Sequence, residues 1–269
     1  MRESMRESMR ESMRESMRDS IRLQGWKVRR LEGTVLNLPE RLMSITGYIP
    51  RGSSVADIGT DHALLPIYLV QTGIASKIVA SDLKRGPLES ARRNVEEAGL
   101  SSQIVLRLGS GLEIIQPGEI DVVVIAGMGG STILEILREN FQKALSIKKL
   151  VLQPMGASGR LREWLVKNGW RIDAEDIVKE DDRLYEIISA DPGKEAVEDP
   201  LLVSVGPRLF AQRHPLLTEV LNREINRNKR VVEAMAGGLS PDTMVRREEI
   251  RGRTEGLERI VKCLSNASS

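Results

Sequence analysis

The sequence predicts an α/β protein: a Rossmann-like, mainly parallel seven-stranded sheet followed by a C-terminal α-helical hairpin. Three observations carry this. Short aliphatic runs alternate with amphipathic segments from Leu38 to Ala190, as strands covered on both faces do. Gly, Asp and small residues gather at the carboxyl ends of those runs, where such sheets bind ligands. Beyond Asp191-Pro192-Gly193 the alternation stops and two long amphipathic stretches follow.

In chain order, Pro39 to Ile49 has helical spacing, with Leu42, Met43 and Ile45 inward and Gly47 and Pro50 as stops. Ser54 to Ile58 is a strand ending at Gly59, and Asp61 to Val70 a helix. Lys77 to Ser81 is a second strand, closed by Asp82, and Pro87 to Ala98 a helix stopped by Gly99. Ile104 to Leu106 and Ile120 to Ala126 are the third and fourth strands. A helix from Ser131 to Ala144 leads to a fifth strand, Lys149 to Gln153. Gly159 to Asn168 is helical, and Arg171 to Val178 and Leu184 to Ala190 complete the sheet. Leu216 to Met235 and Pro241 to Leu264 form the hairpin, joined at Gly237-Gly238. Ahead of all this stand four copies of Met-Arg-Glu-Ser and one Met-Arg-Asp-Ser, a period that drifts around a helix and builds no apolar face. The expected units are a mobile extension (1–20), a ligand-binding α/β domain (21–193) and the helical hairpin (194–269).

Composition narrows the function classes. Hydrophobic residues make up 41% and charged residues 29%, a globular balance. Aromatics are only 3%, so Val, Ile, Leu and Ala must build the core. The single cysteine, Cys263, excludes an internal disulfide and suits a reducing compartment. No apolar run approaches the roughly 20 residues of a membrane span, and no secretory leader is evident, so a cytoplasmic protein without membrane contact is expected. The net charge of +2 combines basic flanks with a mildly acidic body. A basic flank can track phosphates, and it can equally be a solvated helical surface.

The chemistry gathers at strand ends. The first βα turn reads Asp57-Ile58-Gly59-Thr60-Asp61-His62 and lacks the G-x-G-x-x-G of a dinucleotide site. Two carboxylates there repel a pyrophosphate and suit a ligand bearing a cationic amine or sulfonium; they also fit helix capping. Asp82, followed by Leu83, stands where an acidic residue accepts ribose hydroxyls. Gly109-Ser110-Gly111 offers backbone donors and room for a flat base. Ala126-Gly127-Met128-Gly129-Gly130 lets a ligand lie on bare backbone, or makes a tight turn. No metal-ligand pattern occurs.

These segments, with Leu65-Pro66-Ile67-Tyr68-Leu69 and Leu150-Val151-Leu152-Gln153-Pro154, resemble the bacterial TrmK family of tRNA adenine-N1 methyltransferases. Arg162-Glu163-Trp164-Leu165 and Tyr185-Glu186-Ile187 are also similar to it. The resemblance covers about residues 38–190 firmly and the tail more loosely. It implies the class I methyltransferase form of the fold, S-adenosyl-L-methionine as cofactor, and methylation at position 22 in the D-arm region of tRNA. Met155 stands where members usually have Asn, and the repetitive head is not a family feature.

The implied mechanism exposes an adenine, whose N1 lies on the pairing edge, to a donor already activated for in-line transfer. Positioning and electrostatics then supply most of the catalysis. Asp61 is the expected stabiliser of charge on the methylated ring, with His62 orienting it or held structurally. Asp57, Gly59, Asp61, Asp82, Leu83, Gly109, Ser110, Gly111, Ala126, Gly127, Met128 and Gly129 are the expected cofactor contacts. Gln153 and Pro154 should face the target base. Arg223, Arg227 and Arg230, with Lys229, and Arg247, with Arg246, Arg251 and Arg253, should meet tRNA phosphates. A monomer is the favoured state. The competing classes are a nicotinamide oxidoreductase, which the first turn disfavours, another methyltransferase, and a non-catalytic RNA-binding protein of this fold.

Overall fold

Aliphatic alternation becomes a two-faced sheet. In this computed structural model, which describes residues 35–235 and 240–266, the strands are β1 (Ser53–Ile58), β2 (Ala75–Asp82), β3 (Ile104–Leu108), β4 (Val122–Met128), β5 (Lys149–Pro154), β6 (Trp170–Glu180) and β7 (Arg183–Pro192). They form one sheet ordered β3-β2-β1-β4-β5-β7-β6. The first five run parallel, and β7 lies antiparallel between β5 and β6. Successive side chains enter opposite layers: Ala56, Ile58, Val123 and Ile125 join one core, Val55, Val122 and Val124 the other. The chain leaves β1 towards β2 on one side, and β4 takes the other, so a switch point opens between the ends of β1 and β4.

The covering helices are α1 (Glu40–Thr46), α2 (Leu64–Gln71), α3 (Arg85–Glu97), α4 (Gly130–Glu139), α5 (Phe141–Ala144) and α6 (Ser158–Lys167). Three departures from the sequence-based expectation bear on the site and its covering helices. The helix expected from Asp61 starts at Leu64, because Asp61 and Ala63 hold left-handed φ angles of 48° and 56°, incompatible with a right-handed helix. The helix expected over Ser131 to Ala144 breaks at Asn140, whose φ of −119° and ψ of 38° leave the helical region. Strand four begins at Val122 rather than Ile120 and runs on through Met128.

The tail holds more than a hairpin. Two short helices, α7 (Pro200–Val205) and α8 (Pro207–Ala211), precede α9 (Leu217–Ala234) and α10 (Pro241–Asn266). Asp199 caps α7 by accepting from the Leu201 N–H at 2.8 Å, and Pro opens both short helices. Leu217, Leu221 and Ile225 of α9 and Leu257 and Ile260 of α10 pack with Val205, Leu209 and Ile177 of β6. Gly256 permits the approach: a Cβ there would stand 2.6 Å from a Leu201 methyl. A polar centre joins the same parts. Fully buried Arg162 donates to Glu175 at 2.6 Å, to Glu186 at 2.7 Å and to the Ser204 carbonyl at 3.2 Å. Glu175 also accepts from the Arg208 N–H at 2.8 Å. His214 donates from Nε2 to Asp176 at 3.0 Å and accepts the Leu216 N–H at Nδ1, which makes it a brace at the start of α9. The repetitive head and the Gly237-Gly238 joint lie outside the described residues.

Candidate functional site

At the switch point the chain folds back sharply after β1. Gly59 has φ of +78°, and both the Gly59 and Thr60 N–H groups donate to the Ser81 carbonyl at 2.8 Å. Asp61 and Ala63 then take their left-handed angles before α2 starts with Ala63 as its N-cap, without a side-chain capping bond. The capping alternative for the two acids therefore gives no account of them. A left-handed non-glycine backbone costs about 1–3 kcal/mol, so the packing around this turn holds it against its own preference.

The acids differ in setting. Asp57 is 6% exposed, and burial, with the Asp82 charge adding to it, pushes its carboxyl up to about 6. Asp61 is partly exposed beside His62, with Oδ2 3.6 Å from Nε2. Its pKa is also raised, by burial first, against the opposing effect of His62, with the Asp82 charge adding to the rise. His62 is fixed through its carbonyl, which accepts from Asn94 Nδ2 at 2.8 Å. Asp82 ends β2 and turns one carboxylate oxygen to the Lys84 N–H at 2.8 Å. Leu83 and Leu108, 68% and 47% exposed, leave apolar surface beside it.

The two glycine runs behave differently. Gly109, Ser110 and Gly111 enter a short 3-10 turn, where a Cβ on Gly109 would meet Ile114 at 2.4 Å and one on Gly111 would meet Ile136 at 2.8 Å. Packing demands both glycines, and Gly111 also takes a left-handed φ of +48°. Across the switch point Ala126, Gly127, Met128 and Gly129 are all partly exposed. Gly127 has φ of +74°, and the Met128 methyl lies where a Gly59 Cβ would be, 2.1 Å from that position.

Gln153 corrects one expectation. It has no exposed surface, its Oε1 accepts from the Gly127 N–H at 3.2 Å and from Arg41 Nη1 at 3.4 Å, and Nε2 points to the Pro154 carbonyl. Pro154 is buried too. Neither side chain faces solvent, since β5 lies inside the sheet. The group that emerges there is Arg41 of α1, whose guanidinium carbon sits 5.5 Å from the centre of the Tyr185 ring. No periodicity or motif marks Arg41, because its partners lie 112 and 144 residues away.

Beside the β5 end lies a cleft of about 1100 Å3 between α6 and the hairpin, lined by Arg160, Arg223, Arg227, Arg230, Arg246 and Arg253 among others. Arg223, Arg227 and Arg230 share one face of α9. Arg247 does not line it; α10 turns Arg246 and Arg253 inward instead. Glu219 and the Asp182 carbonyl hold Arg223, Glu224 holds Arg253, and Glu249 holds Arg246. Among the described residues no His, Cys, Asp and Glu cluster could hold a metal, and no helix is long and apolar enough to cross a membrane.

Comparison with known proteins gives consistent results. A family profile described as a methyltransferase domain matches residues 38–188. The tRNA (adenine(22)-N(1))-methyltransferase of Bacillus subtilis is 35% identical over 232 residues, covering 84% of this chain and 98% of the relative. The crystal structure of the B. subtilis M1A22 tRNA methyltransferase TrmK superposes with a TM-score of 0.79 at 34% identity, over 84% of this chain and 99% of that one. The TrmK of M. capricolum, solved with S-adenosyl-homocysteine, gives a TM-score of 0.72 at 31% identity over 84% and 99%.

Proposed function

Because this chain belongs to the bacterial TrmK family of tRNA (adenine(22)-N(1))-methyltransferases, we propose that it is an S-adenosylmethionine-dependent methyltransferase acting on N1 of adenine 22 in tRNA. The observation that carries the reading is the pair of raised carboxylates at the switch point, facing a strand end of partly exposed backbone. A buried carboxylate without a cation is poorly solvated, and a ligand ammonium restores what water no longer gives it.

The residues fit this cofactor part by part. Asp57 suits its amine, and Asp82 has a carboxylate oxygen left for ribose hydroxyls. Leu83 and Leu108 supply apolar surface for the adenine ring, and Gly109 and Ser110 adjoin it. Gly59, Ala126, Gly127, Met128 and Gly129 line the remaining side, where the flexible Met128 thioether yields to an incoming group. When bound, S-adenosylmethionine supplies a methyl group on a cationic sulfur, open to in-line attack by a ring-nitrogen lone pair. Asp61 then stabilises positive charge developing on the adenine ring, and His62 holds Asp61 in place.

The substrate contacts assigned here are the cleft arginines Arg223, Arg227 and Arg230, with Arg246 and Arg253 in place of Arg247. Residues 21–193 form the catalytic unit and 194–269 the RNA-holding unit of a cytoplasmic enzyme. A monomer is the working unit of this reading, which asks no second chain for a residue of the site or the cleft. Mass spectrometry of tRNA nucleosides after incubation with the protein and isotopically labelled donor tests the whole reading. Labelled 1-methyladenosine is expected. Label on another nucleoside would move the target, and none would sink the activity.

A further inference from the structure

We propose that Arg41 contacts the tRNA, anchoring a phosphate of the target nucleotide beside the methyl-transfer centre, and that Gln153 and Tyr185 are the positioning residues that aim it. This rests on the tRNA methyltransferase reading above.

Arg41 is a partly buried cation at the carboxyl ends of β4 and β5. Glu180, at the end of β6, accepts the Arg41 backbone N–H at 3.2 Å. Among the described residues no carboxylate forms a salt bridge with that guanidinium; its contacts are the Gln153 oxygen and the Tyr185 ring face. Both partners are neutral, so both orient the charge without cancelling it. An arginine fork of five N–H donors with one bond made is ready for a planar or tetrahedral oxyanion.

The aim is built in from below. Gln153 is fully buried, and two donors converge on its oxygen: the Arg41 guanidinium and the Gly127 N–H. That convergence also fixes which end of the amide is oxygen. One side chain thereby ties the cation to the strand-end backbone on which the cofactor is expected to lie. A Cβ on Gly127 would stand 3.9 Å from Arg41 Nη1. Tyr185, 8% exposed, keeps the guanidinium plane from swinging into solvent. An adenine extruded from its stack brings its own phosphodiester along, so a cation at this rim fixes the nucleotide without touching the reacting nitrogen. The basic cleft beside the β5 end would hold the neighbouring strand.

The test combines methyl transfer to a tRNA transcript over a range of salt with calorimetry of donor binding, for R41Q, R41K and Q153E. R41Q should raise KM for tRNA about tenfold and flatten the salt dependence by about one unit of slope, with donor affinity within about twofold of wild type. R41K should keep the slope and lose turnover, because an ammonium lacks the fork. Q153E should mimic R41Q with Arg41 still present, since an ion pair would claim the guanidinium. An R41Q protein with wild-type KM and slope, or with donor affinity reduced in step with activity, overturns the role of Arg41. A Q153E protein with normal KM beside an impaired R41Q overturns the positioning role of Gln153. A wild-type chain that transfers no methyl group to tRNA removes the functional reading itself, and this inference with it.

Discussion

Asp57 is a carboxylate that the apo protein holds at a loss. Its pKa of about 6, against 3.8 for the free side chain, reflects burial first, opposed by the Thr60 hydroxyl, with the Asp82 charge adding to the rise. The native state therefore binds this proton more tightly than the unfolded chain does. Asp57 adds no penalty below the unfolded pKa, and one grows as pH rises through about 6, reaching at most roughly 3 kcal/mol. Asp57→Asn should then stabilise the apo protein at pH 8, with the gain shrinking towards pH 4 in thermal melts. The same variant should weaken donor binding, and wild-type affinity for S-adenosylmethionine should fall below about pH 6 as the carboxylate is protonated. Calorimetry showing flat affinity across that range would remove Asp57 from the contact with the donor amine. Asp61 separates from it by role. Asp61→Asn should lower turnover more than donor affinity, measured by single-turnover transfer beside calorimetry; equal losses would make Asp61 a donor ligand instead.

The β-strands were legible because a parallel sheet buried on both faces leaves little choice but aliphatic residues. The run Val122-Val123-Val124-Ile125 feeds both cores at once, and no turn chemistry interrupts it. The start of α2 was not legible, because Asp61 and Ala63 take left-handed angles that glycine usually supplies. Only surrounding packing imposes them, and no sequence pattern records that. Asp199-Pro200 and Gly206-Pro207 did carry start signals for α7 and α8, obscured by the shortness of both helices. The candidate acids at the strand ends were visible for the same reason as the strands, whereas Arg41 came from outside the βα pattern altogether. Arg162 is the element-scale joint. Its fork spans Glu175, Glu186 and the Ser204 carbonyl, tying α6 to β6, β7 and α7. Arg162→Met should cost about 3–5 kcal/mol in denaturant unfolding, since Glu175 keeps its burial and loses its cation. Arg162→Lys should recover little of that, because one ammonium cannot reach three acceptors in that plane. A loss under about 1 kcal/mol would mean that water or rearrangement compensates Glu175.

At the scale of the whole molecule, charge and chemistry sit in different places. The switch point is lined by Asp57, Asp61 and Asp82 and repels a polyanion, so RNA affinity must be supplied beyond it. The cleft between α6 and the hairpin offers that supply, and its arginines are not equivalent. Arg253 is engaged by Glu224 at 2.8 Å and by Ser204 at 3.1 Å, which makes it a tie between α10, α9 and α7 within the tail. Among the described residues Arg230 donates to the Asn226 carbonyl of its own helix, at 3.3 Å, and Arg223 is half-exposed beside Glu219. Arg227 lines the same wall. These three line up at spacings of four and three residues, one face of α9, as a phosphate track requires. Removing the whole tail is a poor probe of this, because Leu209, Leu217 and Leu221 cover Ile177 and the Arg208 N–H satisfies Glu175. Replacing Arg223, Arg227 and Arg230 together by Gln leaves that packing and that hydrogen bond in place. The triple variant should bind S-adenosylmethionine as wild type does and melt within a few degrees of it. Its affinity for tRNA should fall, and the slope of log K against log salt should flatten by about 0.9 for each phosphate no longer neutralised, roughly three units if all three arginines are used. Filter binding across a salt series reads the slope directly, and methyl transfer at saturating tRNA reads turnover apart from binding. If the slope is unchanged while the protein stays folded, the hairpin is a structural support and the RNA is held by the sheet domain alone.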